Sequence, residues 1–197
     1  MFNRGDFNKY KTASGLESLN ESVRRVKTFS SSTSKPYGKT TVFISHKHDE
    51  LDLEELKGVI GMLEKDYNVV PYIDSMDNKM PEYTCAETAK RIKQVIESCN
   101  KFILLATNSA IESYWCNWEV GIGDVHKYKN NIAILPMQDV GKSYKGNEYL
   151  RLYSSIEHHD GTTRYSDTNN FVTRGYYVRQ PKEDGNIITP LQTWLKQ

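Results

Sequence analysis

Long apolar runs are missing from this sequence. No stretch approaches the roughly 20 apolar residues that a bilayer-crossing helix needs, so no membrane partner is expected. The opening residues, MFNRGDFNKYKTASG, hold no apolar core of the kind a secretory signal carries. Cysteine is scarce: Cys85, Cys99 and Cys116 are odd in number and far apart. That argues against a disulfide framework and for a reducing, cytoplasmic setting. A charge excess is lacking too, with 26 basic against 25 acidic residues and a net charge of +1. Such a balance speaks against a nucleic-acid partner held by a strongly basic surface.

What is present is a regular alternation that begins after residue 39. The spacing of Leu16, Leu19, Val23 and Val26 predicts a short amphipathic helix, followed by the linker SSSTSKPYGK. Residues 1–39 are therefore expected to be an N-terminal helical extension with its linker, and residues 40–197 the main domain. TTVFIS (40–45), NVVPYID (68–74), KFILLAT (101–107) and NIAILPM (131–137) are short apolar runs and predict strands. Between them, 53–67, 86–99 and 114–128 carry helical apolar spacing, with Leu53, Leu56, Ile60 and Leu63 on one face of the first. Continuous apolar strands alternating with helices imply an α/β fold with a doubly wound parallel sheet. Pro71 cannot donate to a ladder, which puts its strand at an edge and suits the flavodoxin-like order 2-1-3-4-5. Residues 138–175 are polar and predict a long irregular excursion. A fifth strand is expected at 175–180 and a closing helix at 189–197, with His158 and His159 a solvated loop pair.

Ligands of doubly wound sheets sit outside the carboxyl ends of the strands. Ser45 and His46, Asp74 and Ser75, and Thr107 and Asn108 stand there. GIGDVH (121–126) lacks the third glycine of a dinucleotide fingerprint and follows no strand. GKS (141–143) lacks the first glycine of a phosphate loop. The five histidines and three cysteines show no metal-ligand spacing, so neither metal nor bound cofactor is expected. Cys116 is a candidate nucleophile with no base placed beside it. SYWCNWEVGIGD (113–124) is the more informative stretch. Trp115 and Glu119 are four apart and share a helix face, whereas Trp118 is turned toward the sheet. Gly121 and Gly123 each cost about 1 kcal/mol in a helix interior, which implies close approach by something. An indole and a carboxylate one turn apart suit a flat cation attached to a sugar, and the nicotinamide riboside of NAD+ is such a group. Nicotinamide leaves as a neutral molecule, so one carboxylate suffices where most glycosidases need two. The competing reading takes Glu119 as a solvated helix residue and Trp115 as core.

TTVFISHKHDE, VVPYIDS, KFILLATNSAIESYWCNWEV and NIAILPM together resemble the bacterial TIR (Toll/interleukin-1 receptor) domain over about residues 40–137. FISH and S-x-W-C-x-x-E are the most specific parts. The resemblance implies a flavodoxin-like fold, a BB loop at about Ser75 to Cys85, and a catalytic glutamate at Glu119. It also implies substrate contacts at Trp115, Ser45, His46 and Asp74, to which Ser75 and Cys116 are added as neighbours. Catalytic members cleave NAD+ as a substrate, some by hydrolysis and others by cyclisation. Small bacterial members resemble the sensors of Thoeris-type anti-phage defence, which assemble as homo-oligomers on activation and reach a separate effector through a nucleotide product. The BB loop, SMDNKMPEYTC, departs from the family in lacking the glycine common after its proline. Non-catalytic TIR interaction modules are the alternative, and they commonly lack the glutamate.

Overall fold

In the computed structural model, residues 1–11, 38–77, 85–127, 129–183 and 185–197 are described. The amphipathic segment expected at 16–26 and most of the BB loop lie outside the described residues. Among the described residues the strands are β1 (Phe2–Asn3), β2 (Thr41–Ser45), β3 (Val70–Tyr72), β4 (Lys101–Ala106), β5 (Ile132–Gln138), β6 (Ser154–His159), β7 (Gly175–Lys182) and β8 (Gly185–Pro190). The helices are α1 (Glu50–Tyr67), α2 (Ala86–Ser98), α3 (Asn108–Glu112), α4 (Tyr114–Lys127) and α5 (Leu191–Lys196).

One mixed, mostly parallel sheet runs β3-β2-β4-β5-β6-β7-β8, with β1 added alongside β5. It is an α/β architecture compatible with the flavodoxin-like expectation, but larger and differently finished. Strand β3, with its Pro71, is the terminal strand of that path. The partner of β5 is not the expected strand at 175–180. It is β6, inside the stretch read as irregular, and it pairs parallel to β5. Strands β7 and β8 then add antiparallel. His158 and His159 belong to β6 rather than to a solvated loop. His159 Nε2 lies 2.7 Å from Glu157 Oε1, and the His158 ring meets Tyr176 edge-on. The SSIEHH sequence alternates partly polar residues because β6 is not buried on both faces.

Alternate residues of the central strands feed two cores, as the pleat requires. Val42, Ile44, Ile103 and Leu105 face α1 and α5, packing with Leu56, Ile60, Leu63 and Trp194. Phe43, Phe102 and Leu104 face α2 and α4, packing with Ile92, Ile96 and Val120. Helix α1 starts at Asp49, whose side chain accepts from the Asp52 amide at 2.8 Å. It stops at Asn68, which takes the left-handed conformation at φ 54° and so closes the last turn.

The first eleven residues are built into this body. Phe2 and Phe7 are buried in the α1-side core. The Arg4 guanidinium donates to the buried Asp52 at 2.5 Å and to Asp139 at 2.6 Å. This segment crosses α1 at Gly58 and Gly61. A Cβ on Gly58 would stand 2.7 Å from Phe7 Cβ and 2.8 Å from the Phe7 carbonyl oxygen. Both neighbours are rigid, so glycine is what permits the crossing. Alanine normally improves a helix interior by about 1 kcal/mol over glycine. Gly58→Ala is nevertheless expected to destabilise by about 1–3 kcal/mol, the usual cost of overpacking. A thermal melt in which the variant unfolds above the wild type would refute that close approach.

Candidate functional site

Three chain segments meet at the carboxyl end of β2. Ser45 is the last residue of β2, His46 follows it, and Asp74 lies just beyond β3. The parallel β2–β3 register sets Phe43 beside Tyr72, which brings the two strand exits together. Helix α4 crosses behind them on the α2 side. There Gly123 comes close to the sheet, where a Cβ would stand 3.2 Å from the Phe102 ring of β4. Gly121 meets nothing within 4 Å and is exposed, so only one of the two glycines marks a close approach.

Glu119 is not a solvated helix residue. It is 1% exposed, and its Oε2 accepts a hydrogen bond from Ser45 Oγ at 2.5 Å. Oε1 is buried with no hydrogen-bond partner among the described residues. Burial pushes the carboxyl well above its ordinary value, and the neighbouring Asp74 pushes it further. The Ser45 hydrogen bond opposes this less strongly, and Trp115 least of all, its side chain acting on the acid without completing a hydrogen bond in good geometry. The rise is what desolvation of a charged form produces. Trp115 is half-buried, one turn before the acid, and its ring lies against Trp118 with centroids 4.9 Å apart. Trp118 is half-buried and packs against the α2-side core of the sheet, the direction its helical angle suggests. It packs on Trp115 and under Lys93 of α2, whose Nζ sits 5.7 Å from the ring centroid.

His46 is buried, with Nε2 3.3 Å from Ser75 Oγ and Nδ1 4.0 Å from Asp74 Oδ1. Desolvation lowers its pKa to about 4 despite the attraction of Asp74, so the ring is neutral at pH 7. His48 was not singled out by the sequence, yet its Nε2 lies 3.0 Å from Asp74 Oδ1. That hydrogen bond raises its pKa. The backbone amide of Ser75 donates to Asp74 Oδ1 at 2.8 Å and fixes the carboxylate. Solvent reaches the cluster at His48 and Ser75, both exposed.

The remaining candidates fall elsewhere. Cys116 is buried, and desolvation raises its thiol to about 11, which leaves it protonated and unsuited to nucleophilic work. Thr107 Oγ1 donates to Asp52 at 2.6 Å and caps α3 through the Ala110 amide. Asn108 ties down the following loop, donating to the Ser143 carbonyl and accepting from the Lys145 amide, both at 3.0 Å. These two hold the fold and leave the strand-end cluster to Ser45, His46, His48, Asp74 and Glu119. A cavity of about 490 Å³ lies apart from it, lined by residues that include Ile134, Tyr144, Leu150 and Arg179. It touches none of the acidic cluster, so the geometry of Glu119 weighs more than the size of that hollow.

No family model matches the chain. It is 30% identical over 128 residues to the probable 3' cyclic ADP-D-ribose synthase ThsB' of Bacillus cereus (strain MSX-D12). The match covers 62% of this chain and 64% of that protein, so the chain spans under two thirds of the relative's length.

Proposed function

We propose that this chain, a relative of ThsB', is a TIR-domain enzyme that cleaves the nicotinamide–ribose bond of NAD+. Its product would be an ADP-ribose-type signal in bacterial anti-phage defence. The single observation that carries this reading is Glu119. A buried carboxylate with one oxygen unpaired among the described residues, held by Ser45 at the strand ends beside Trp115, is costly to keep unless something cationic meets it. The finer topology, a flavodoxin-like sheet under two helical layers, belongs to the same reading.

The chemistry follows from the environment. A cationic pyridinium arriving beside Trp115 would be attracted to the indole face and would favour the ionised form of Glu119. In a desolvated site that charge pair is far stronger than in water. As the bond to nicotinamide lengthens, positive charge moves onto the ribose, and a fixed carboxylate stabilises it there. Nicotinamide departs neutral and needs no acid. Ser45, through its hydrogen bond, holds the carboxylate in register, while His46, Asp74 and Ser75 supply polar contacts for the sugar. A water-poor pocket favours capture by a ribose oxygen of the same molecule and hence a cyclic product, in line with the name of the relative. No helix among the described residues is long and apolar enough to cross a membrane, which agrees with a cytoplasmic setting. Assembly into homo-oligomers and signalling to a separate effector complete the proposal.

The burial of Glu119 also favours a second reading, an interaction module whose acid is a structural relic. Incubation of concentrated protein with NAD+, followed by mass spectrometry, separates the two. Nicotinamide with a cyclic ADP-ribose isomer is the expected outcome. ADP-ribose alone would keep the enzyme and replace cyclisation by hydrolysis. Intact NAD+, even after forced assembly of the chain, would favour the module.

A further inference from the structure

We propose that His46, His48 and Asp74 form a binding site for a divalent transition-metal ion of the zinc class. One donor atom from each residue lies within 4.8 Å of the others. His48 Nε2 and Asp74 Oδ1 are 3.0 Å apart, and His46 Nδ1 is 4.0 Å from the same oxygen. The two imidazoles lie side by side with centroids 4.7 Å apart and planes tilted by 36°. A zinc ion with bonds of about 2.0–2.1 Å would sit between three such atoms after a small inward shift. His48 is the exposed member and has room to make it.

A hydrogen-bond network alone does not account for this arrangement. It satisfies His48 and Asp74, yet leaves His46 Nδ1 buried with no hydrogen-bond partner in good geometry among the described residues, the Ile44 backbone being the polar group that acts on the ring from its own strand. That atom lies 4.0 Å from the same carboxylate oxygen, and a metal ion is a partner that suits it. Its orientation is set from behind, because the other ring nitrogen lies 3.3 Å from Ser75 Oγ. An outer hydrogen bond of that kind commonly fixes metal-bound histidines. The carboxylate is fixed in turn by the Ser75 amide. Two imidazoles and one carboxylate favour zinc, cobalt or nickel over magnesium or calcium, which prefer all-oxygen shells. The exposed side leaves a fourth position for water. The H-x-H spacing alone did not reveal the site, because its third donor, Asp74, comes from the turn beyond β3.

The binding itself does not depend on the NAD+ reading. Its consequence does: an ion held by His46 and Asp74 withdraws both from a sugar, so zinc would inhibit cleavage. The test uses the full chain, without an affinity tag and stripped of metal. Isothermal titration with Zn²⁺ should show one equivalent bound at micromolar affinity or tighter. Co²⁺ should give visible absorption bands of a low-coordinate site. His48→Ala and Asp74→Asn should each weaken binding at least tenfold, while His126→Ala, on an exposed face of α4, should not. Thermal melts establish that each variant is folded. No stoichiometric binding by the wild type, or equal binding by folded His48→Ala and Asp74→Asn, would overturn the proposal. Either result leaves nicotinamide release, measured separately without metal, untouched.

Discussion

Glu119→Gln is expected to reduce nicotinamide release by about 10²–10³-fold, the usual loss when a charge-stabilising group is removed from a reacting centre, and at the same time to make the protein harder to unfold at neutral pH. Glutamine keeps the shape and can still accept from Ser45, but it cannot carry the negative charge. The stability half follows from the direction of the pKa shift. The folded-state pKa of Glu119 is raised above its unfolded value, with burial the main cause. The acid therefore opposes folding at every pH above the unfolded value of about 4.3, and increasingly so until the folded-state pKa is passed. Near pH 4 both states bind the proton, and wild type and variant should melt together. At pH 7.5 the variant should melt higher, by about 2–4 °C for each kcal/mol in a chain of this size. Among the described residues, serine, aspartate, tryptophan and cysteine side chains at 45, 74, 115 and 116 are the groups facing the acid, and none of these is a cation. A variant that is inactive and more stable is the mark of an acid kept for chemistry rather than for folding. Melting below the wild type at pH 7.5 would show instead that the charge is compensated by a partner.

Phe7→Ala should cost about 3–5 kcal/mol, the range for emptying a fully buried phenylalanine site. That corresponds to a fall in melting temperature of about 6–20 °C. Phe7 is fully buried, with ring centroids 5.1 Å from Phe2 and 6.0 Å from Tyr176. Its neighbours cannot close the gap. Phe7 is held at Gly58 by backbone contact, and Arg4, three residues earlier, is anchored on the buried Asp52. The cavity should therefore stay open and the full penalty should appear. Differential scanning calorimetry measures it, with circular dichroism to establish that the variant folds. A loss below about 1 kcal/mol, within the range of ordinary surface changes, would mean that the first residues only lie on the body and do not share its core.

The strands legible in the sequence were those buried on both faces. VFI at 42–44, FILL at 102–105 and IAIL at 132–135 are apolar without interruption because helices cover both sides of the sheet there. Strand β6 was hidden for the opposite reason. Glu157 and the two histidines are satisfied by cross-strand partners on β7, so polarity there signals a strand that is not buried on both faces, and not a loop. The N-terminal phenylalanines were equally silent, since Phe2 and Phe7 show no helical or strand period. Their burial depends on two glycines half a hundred residues away.

Of the site, the helix spacing paired Trp115 with Glu119, and strand ends pointed to Ser45, His46 and Asp74. Local periodicity is enough for such statements, because a helix or strand places its own side chains. Whether Glu119 would be wet or dry, that Ser45 would hold it, and that His48 would join Asp74 were decided only when β2, β3 and α4 came together. Burial and hydrogen-bond partnership are properties of neighbours that the chain brings from afar. No spacing within one segment contains them.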